Sequence, residues 1–345
     1  MEKDNVSLRE MVENDSFFSK QKQCLTHNFM AEDLKMPLKD HPSGQGEVVL
    51  EAFSKWKELE EAGKYQKYVI YSEEEIQADP DKRDVQLLYM KGEKDAPFCI
   101  VCPGGGYMDC VLWGEGITSA VNLVEHGINA FVLFYRVNKP GLLPEPVDDL
   151  AQAVKFIVNN AKELGVSAQN YAVAGFSAGG HLACEWGSEE KGYKKYHLPE
   201  PASLILGYPA AAVEYMYDSC QTSKWGKNGK IADDLFFQCI AGRDYTREEL
   251  ETGSVLKTMT DRFPPCYIVH AKNDDMVSFE SAEKFIECLE GHGILYKKEI
   301  ADFGGHGFAL GKGTPFDGWF ERAVDFWKQC VLEKERRTEE KDEVI

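Results

Sequence analysis

No run of apolar residues in this 345-residue sequence approaches the roughly 18 that a membrane-crossing helix needs. Residues 130–135, six in a row, are typical. The first eighteen residues, MEKDNVSLREMVENDSFF, lack an apolar core and carry five acids, Glu2, Asp4, Glu10, Glu13 and Asp15. That excludes an ordinary secretory signal. Basic residues are outnumbered, 39 against 58 acids, giving a formal net charge of −19. Such a balance argues against a nucleic-acid backbone or an anionic membrane as partner. No His/Cys/Asp cluster has ligand spacing, so no metal is expected, and there is no internal repeat.

Ten cysteines without an export signal read as reduced thiols in a cytoplasmic protein. Cys99 and Cys102 form a CxxC, but inside an apolar, strand-like run whose alternate residues face opposite sides, which disfavours a metal or redox pair.

What is present is a large apolar fraction, 43%, with 12% aromatics, enough for a substantial core. Residues 1–60 are polar and weakly patterned and read as an N-terminal arm, with a helical stretch near 50–61 able to dock on the body. Strand-like runs follow at 65–71, 85–90, 98–102, 130–135, 171–174, 204–208, 266–271 and 296–300. Helical patterns at 116–126, 147–164, 177–186, 280–289 and 317–330 are interspersed among them. Short apolar strands alternating with amphipathic helices indicate an α/β fold on a mostly parallel sheet over residues 61–334. Residues 212–253 interrupt the rhythm. They are rich in aromatics and charge (Tyr215, Tyr217, Trp225, Phe236, Phe237, Tyr245) and read either as a surface excursion or as a cap-like insertion over a cleft. Residues 335–345 read as a frayed, charged tail.

Gly175-Phe-Ser177-Ala-Gly179 is a GxSxG set between an apolar strand and a helix. A nucleophile elbow needs that context, because glycines let the chain turn sharply and hold the serine Oγ clear of the sheet at a helix N-terminus. The alternative, a phosphate-binding turn, matches neither GxGxxG nor GxxxxGK[ST]. A serine of normal basicity needs a base, and that base an orienting acid, in the order Ser, acid, His on such a sheet.

Of eight histidines, His27 and His41 precede the sheet, and His126, His181, His197, His270 and His292 fall in helices, charged loops or a strand. His306 alone stands in a glycine-rich loop, Asp302-Phe-Gly-Gly-His-Gly-Phe308, directly after the last strand. It is the expected base. Two adjacent carboxylates, Asp274 and Asp275, follow the preceding strand, and either suits the acid's place. Gly104-Gly105-Gly106, after the strand at 98–102, would let backbone N–H groups reach a developing oxyanion without Cβ interference. The expected donors are Gly105 and Gly106, completed by Ala178 beside the nucleophile.

These residues together resemble the α/β-hydrolase carboxylesterases, closest to their acetyl-esterase and lipase-like branch. The matches are a PGGGY loop at 103–107, the elbow GFSAGGHLA at 175–183, an H-x-x-x-D-x-x-V segment at His270, Asp274 and Val277, and GGHGF at 304–308. Pro144-Glu-Pro-Val-Asp148-Asp149-Leu-Ala151, Tyr208-Pro209 and Pro264-Pro265 also fit the family, over roughly residues 65–330. The wider lipase group usually opens the loop with histidine, where this chain has Pro103. That spacing selects Asp274 as the acid, with Asp275 the alternative.

The resemblance implies a serine esterase acting through an acyl-enzyme on short-chain, chiefly acetyl, esters, including those of acetylated sugars or xylo-oligosaccharides. It implies no cofactor, and a small-molecule ester as the only expected partner. Two other readings remain at this stage: a serine peptidase of the same fold, which would usually carry a β-propeller absent here, and an inactive ligand-binding relative, which would usually have lost the serine or histidine.

Overall fold

The computed structural model describes residues 46–222 and 227–342. Trp225 and the arm ahead of residue 46 lie outside them. At the centre is an eight-stranded sheet of order β1-β2-β4-β3-β5-β6-β7-β8. Its strands are β1 Tyr65–Val69, β2 Gln86–Met90, β3 Phe98–Cys102, β4 Asn129–Phe134, β5 Ala172–Phe176, β6 Ser203–Gly207, β7 Cys266–Ala271 and β8 Tyr296–Ala301. The β1–β2 and β2–β4 pairs are antiparallel and every later pair is parallel. The fold is that of an α/β hydrolase.

Helices cover both faces, which is why the inner strands are unbroken apolar runs. Every residue of β3, β4 and β5 is buried. The edge strands differ: β8 reads YKKEIA, with Lys297 and Lys298 exposed to solvent. Charge on an edge discourages pairing with another chain. Cys99 and Cys102 are buried in β3 as free thiols.

The helix near residues 50–61 runs Gly46–Glu61. Its Trp56 is buried edge-on against Trp113 and Tyr65, with ring centroids 5.8 and 5.4 Å apart. The packed body therefore takes in residues ahead of 61. At the other end a single helix, Trp319–Asp342, extends through most of the charged tail. Among the described residues no helix is long and apolar enough to cross a membrane. Among the described residues, 212–253 form three helices, Val213–Thr222, Lys227–Ala241 and Arg247–Thr252, inserted between β6 and β7.

The parallel arrangement positions the site. Because β3, β5, β7 and β8 run the same way, the loops leaving their carboxyl ends meet along one edge. Those loops carry the glycine triplet, Ser177, Asp274 and His306.

Candidate active site

Strand β5 ends at Phe176 and the Ser177–Gly187 helix begins at once. Ser177 itself takes a left-handed φ of 51°, a conformation that costs a non-glycine residue roughly 1–2 kcal/mol. The flanking glycines are required by contact. A Cβ at Gly175 would lie 2.2 Å from the Gly179 carbonyl, and one at Gly179 would lie 2.1 Å from the Cys102 carbonyl. The elbow is thus pressed against the end of β3, beside the glycine loop.

Across the edge, His306 Nε2 lies 2.9 Å from Ser177 Oγ and His306 Nδ1 lies 2.8 Å from Asp274 Oδ2. A carboxylate can only accept, so Nδ1 donates and Nε2 is left to accept from the serine hydroxyl. Asp274 is buried, and its other oxygen takes the N–H groups of Met276 at 2.9 Å and Val277 at 2.8 Å. Burial opposes its charge, but His306 and these bonds outweigh it and hold the carboxyl below the ordinary aspartate value. Burial likewise disfavours a charged His306, yet the Asp274 carboxylate, with Glu115 and Asp275 further off, raises its pKa above the usual histidine value. Asp275 is exposed and makes no bond to the imidazole.

The two other buried histidines are held elsewhere. His270, buried in β7, donates from Nε2 to the Val277 carbonyl at 3.0 Å and sits 3.5 Å from Asp274. Burial lowers its pKa, so it supports the turn as a neutral ring. His181 donates from Nε2 to the Gly253 carbonyl and accepts the Tyr107 hydroxyl on Nδ1 at 2.7 Å. Burial pushes its pKa down to about 4. It fastens the glycine loop to the elbow helix.

The glycine loop is a tied frame. Four of its carbonyls are taken: Pro103 by the Tyr135 hydroxyl, Gly104 by the Val111 amide, Gly105 by the Met108 and Asp109 amides, Tyr107 by the Asn138 amide. A Cβ at Gly105, whose φ is +127°, would lie 2.1 Å from the Asp109 carbonyl, so the position admits only glycine. The Gly105 and Gly106 amides find no acceptor among the described residues. Ala178, second in its helix, has no carbonyl four residues back within that helix. The inserted segment packs on this frame. Phe236 stacks on Tyr107 with centroids 5.9 Å apart, and the Gln238 and Cys239 carbonyls accept the Gly141 and Leu142 amides.

Two residues in this region went unassigned in the sequence. Glu115 is buried and accepts the Gly104 amide at 2.6 Å and the Tyr208 hydroxyl at 2.8 Å. Tyr208 in turn accepts the Ala309 amide at 3.0 Å and meets the His306 ring edge-on at 4.9 Å. Tyr208 carried a signal in the Tyr208-Pro209 pair, whereas Glu115 carried none. Among the described residues no group of three His, Cys, Asp or Glu side chains is placed to hold a metal.

Comparison with known proteins adds lineage to this geometry. The BD-FAE family model matches residues 84–289. The chain is 29% identical over 229 residues to endo-1,4-beta-xylanase B of Butyrivibrio fibrisolvens, covering 64% of this chain and 34% of that protein. To an acetylxylan esterase of Xylanibacter ruminicola it is 28% identical over 236 residues, covering 66% and 44%. The chain thus spans under half the length of these two curated relatives. Among solved structures, an acetyl ester-xyloside bifunctional hydrolase from Caldicellulosiruptor lactoaceticus superposes with TM-score 0.61 at 24% identity, over 76% of this chain and 96% of that one. Carboxylesterase Cest-2923 from Lactobacillus plantarum gives 0.54 at 21% identity, over 73% and 92%.

Proposed function

Since the chain belongs to the BD-FAE family of α/β hydrolases, we propose that it is a serine carboxylesterase acting on short-chain, chiefly acetyl, esters. The observation that carries the reading is the unbroken hydrogen-bonded line Asp274–His306–Ser177, with donor and acceptor roles fixed from the carboxylate outward. Ser177 Oγ attacks the acyl carbonyl as its proton passes to His306 Nε2. Asp274 keeps the ring oriented and supports the imidazolium. The Gly105, Gly106 and Ala178 amides receive the carbonyl oxygen as it becomes an oxyanion, each donor contributing about 10²–10³ in rate. His306 then returns its proton to the departing alcohol, and water, deprotonated by the same ring, releases the acid and restores Ser177.

The names of the relatives, one acting on xylan and one on acetylxylan, support acetylated xylo-oligosaccharides or other acetylated sugars as the substrate class. On this reading the inserted segment, whose Phe236 stacks on Tyr107 of the glycine loop, bounds the acyl side of the site and favours a short acyl group. A methylene adds about 0.8 kcal/mol only where room exists to bury it.

The test pairs the enzyme with Ser177→Ala. The wild type should take a fluorophosphonate covalently and hydrolyse p-nitrophenyl acetate, while the variant should do neither, with kcat down by up to about 10⁶. Near-wild-type turnover by the variant would refute Ser177 as nucleophile. A series of acetate, butyrate and octanoate esters, beside acetate release from acetylated xylo-oligosaccharide, tests the substrate. Faster turnover of octanoate than acetate would refute the short-acyl reading.

A further inference from the structure

The proton route above has no role for Glu115, yet this carboxylate is sealed inside the site. It lies on a wholly buried six-residue turn of π-helix, Leu112–Ile117. Burial raises its pKa above the ordinary glutamate value, while the Gly104 and Tyr208 bonds and His306 pull it back toward the charged form. Here both oxygens are used, and each leads to a different half of the site. Oε2 takes the Gly104 amide, and a Cβ on Gly104 would stand 2.9 Å from Ser177 Cβ and from the Phe176 carbonyl. This peptide therefore lies against the nucleophile. Oε1 takes the Tyr208 hydroxyl, whose ring abuts His306 and whose oxygen holds the Ala309 amide of the histidine loop. Glu115 bonds to neither Ser177 nor His306, but to a group in contact with each.

Both partners are donors, so an acceptor-only group fits and an amide would not. A glutamine in its place must turn its NH₂ toward one of the two. The charged and titratable groups facing His306 are Asp274, bonded to it, Glu115 and Asp275 through space, and neutral His270 beyond Asp274. The buried Tyr208 hydroxyl stays protonated.

We propose that Glu115 is a positioning residue that locks the Gly104 peptide, leaving the next two amides free for the oxyanion, and whose negative charge supports the His306 imidazolium. This rests on the esterase reading. It adds no covalent step, since Glu115 exchanges no proton and acts by bond geometry and field alone. The raised pKa of His306 agrees, because the Glu115 charge is among its causes.

The test is Glu115→Gln in the full chain, read in two ways. Kinetics with p-nitrophenyl acetate should show kcat down about tenfold or more with KM nearly unchanged. The acid limb of kcat/KM should move to lower pH by roughly half a unit or more, as expected for a lost neighbouring charge. The low-field Nδ1–H resonance of His306 should titrate with the same shift, and that reading needs no ester turnover. A purely structural role would lower activity and stability without moving the titration.

An active wild type with Glu115→Gln equal to it in kcat and in acid limb overturns the inference alone. A wild type that neither hydrolyses esters nor takes a fluorophosphonate overturns the esterase reading, and an unmoved His306 titration then overturns the charge as well. Should Glu115→Gln fail to fold, Tyr208→Phe decides: it keeps the charge and removes both bonds of the hydroxyl, the one to Glu115 and the one from the Ala309 amide, so kcat should fall at least about threefold with the acid limb in place. Wild-type kcat in that variant overturns the inference.

Discussion

Replacing Asp274 with asparagine changes one atom, and the structure says which way the new side chain must turn. The Oδ1 position receives two amides, Met276 and Val277, at 2.9 and 2.8 Å. An NH₂ group there would face two donors, so the amide oxygen of asparagine stays and its NH₂ faces His306, where Asp274 Oδ2 sits 2.8 Å from Nδ1. The imidazole must then accept on Nδ1 and carry its proton on Nε2. That proton points at Ser177 Oγ, so the ring cannot take the hydroxyl's proton. The equivalent change in a serine protease costs about 10⁴ in kcat, which corresponds to roughly 5–6 kcal/mol of transition-state stabilisation. Both local bonds survive, so the melting temperature should change little. Asp275→Asn removes only an exposed, through-space charge and should keep kcat within about threefold. Steady-state hydrolysis of p-nitrophenyl acetate by the two variants, with thermal melts alongside, decides the matter. A larger loss in Asp275→Asn than in Asp274→Asn, or an Asp274→Asn enzyme within tenfold of wild type, would refute the reasoning.

Four further outcomes are expected. The nearby carboxylates raise the His306 pKa above its ordinary 6.5, and the base must be neutral to act; kcat/KM should therefore fall as pH drops through a midpoint above 6.5, and a midpoint below 6 would contradict this. Gly179→Ala forces a Cβ to within 2.1 Å of a β3 carbonyl and should destabilise the fold by about 3 kcal/mol or more. Gly106→Ala, whose Cβ would meet only the flexible end of Met108, should cost roughly 1–2 kcal/mol for its left-handed φ and remain folded in a thermal melt. Trp56→Ala, by removing the buried anchor of the Gly46–Glu61 helix, should cost about 3–5 kcal/mol in urea unfolding.

The parts of the fold most legible in the sequence are those where physics repeats itself locally. Strands β3, β4 and β5 are buried on both faces, so their sequences are solid apolar runs that turn residues bound. Of the helices that cover them, Glu145–Asn159 and Phe279–Gly291 bury one stripe each and show a helical period, whereas Ser177–Gly187 is buried almost throughout. The insertion gives no such signal. Its helices bury aromatics against one another and against Tyr107, as with Phe237 between Tyr217 and Tyr245, so apolar residues do not recur on one face. Aromatic richness was visible; the three-helix arrangement was not. The turn at Leu112–Ile117 was not read in the sequence, where a regular helical pattern begins at 116, inside it. Gly116 there packs so closely that a Cβ would lie 2.9 Å from Val132, and a side chain that small leaves no pattern.

At the site, legibility follows how local each residue's bonds are. Ser177 announces itself because the elbow's close contacts require glycines two residues away on each side. His306 does so because the last strand feeds straight into a glycine-rich loop. Asp274 and Asp275 are chemically equal in sequence, and only the spacing shared with related esterases separates them. The physical reason lies in a three-residue turn: the Val277 and Met276 amides reach back to Asp274 and draw it inward, leaving Asp275 in solvent. Glu115 is the extreme case. Its partners stand 11 and 93 residues away in the chain, on a loop and after a strand that meet only once the sheet has formed. An acid between two glycines in an otherwise apolar stretch looks like an exposed side chain on a helix. What distinguishes it is a debt of hydrogen bonds that other segments settle, and such a debt leaves no local trace in the sequence.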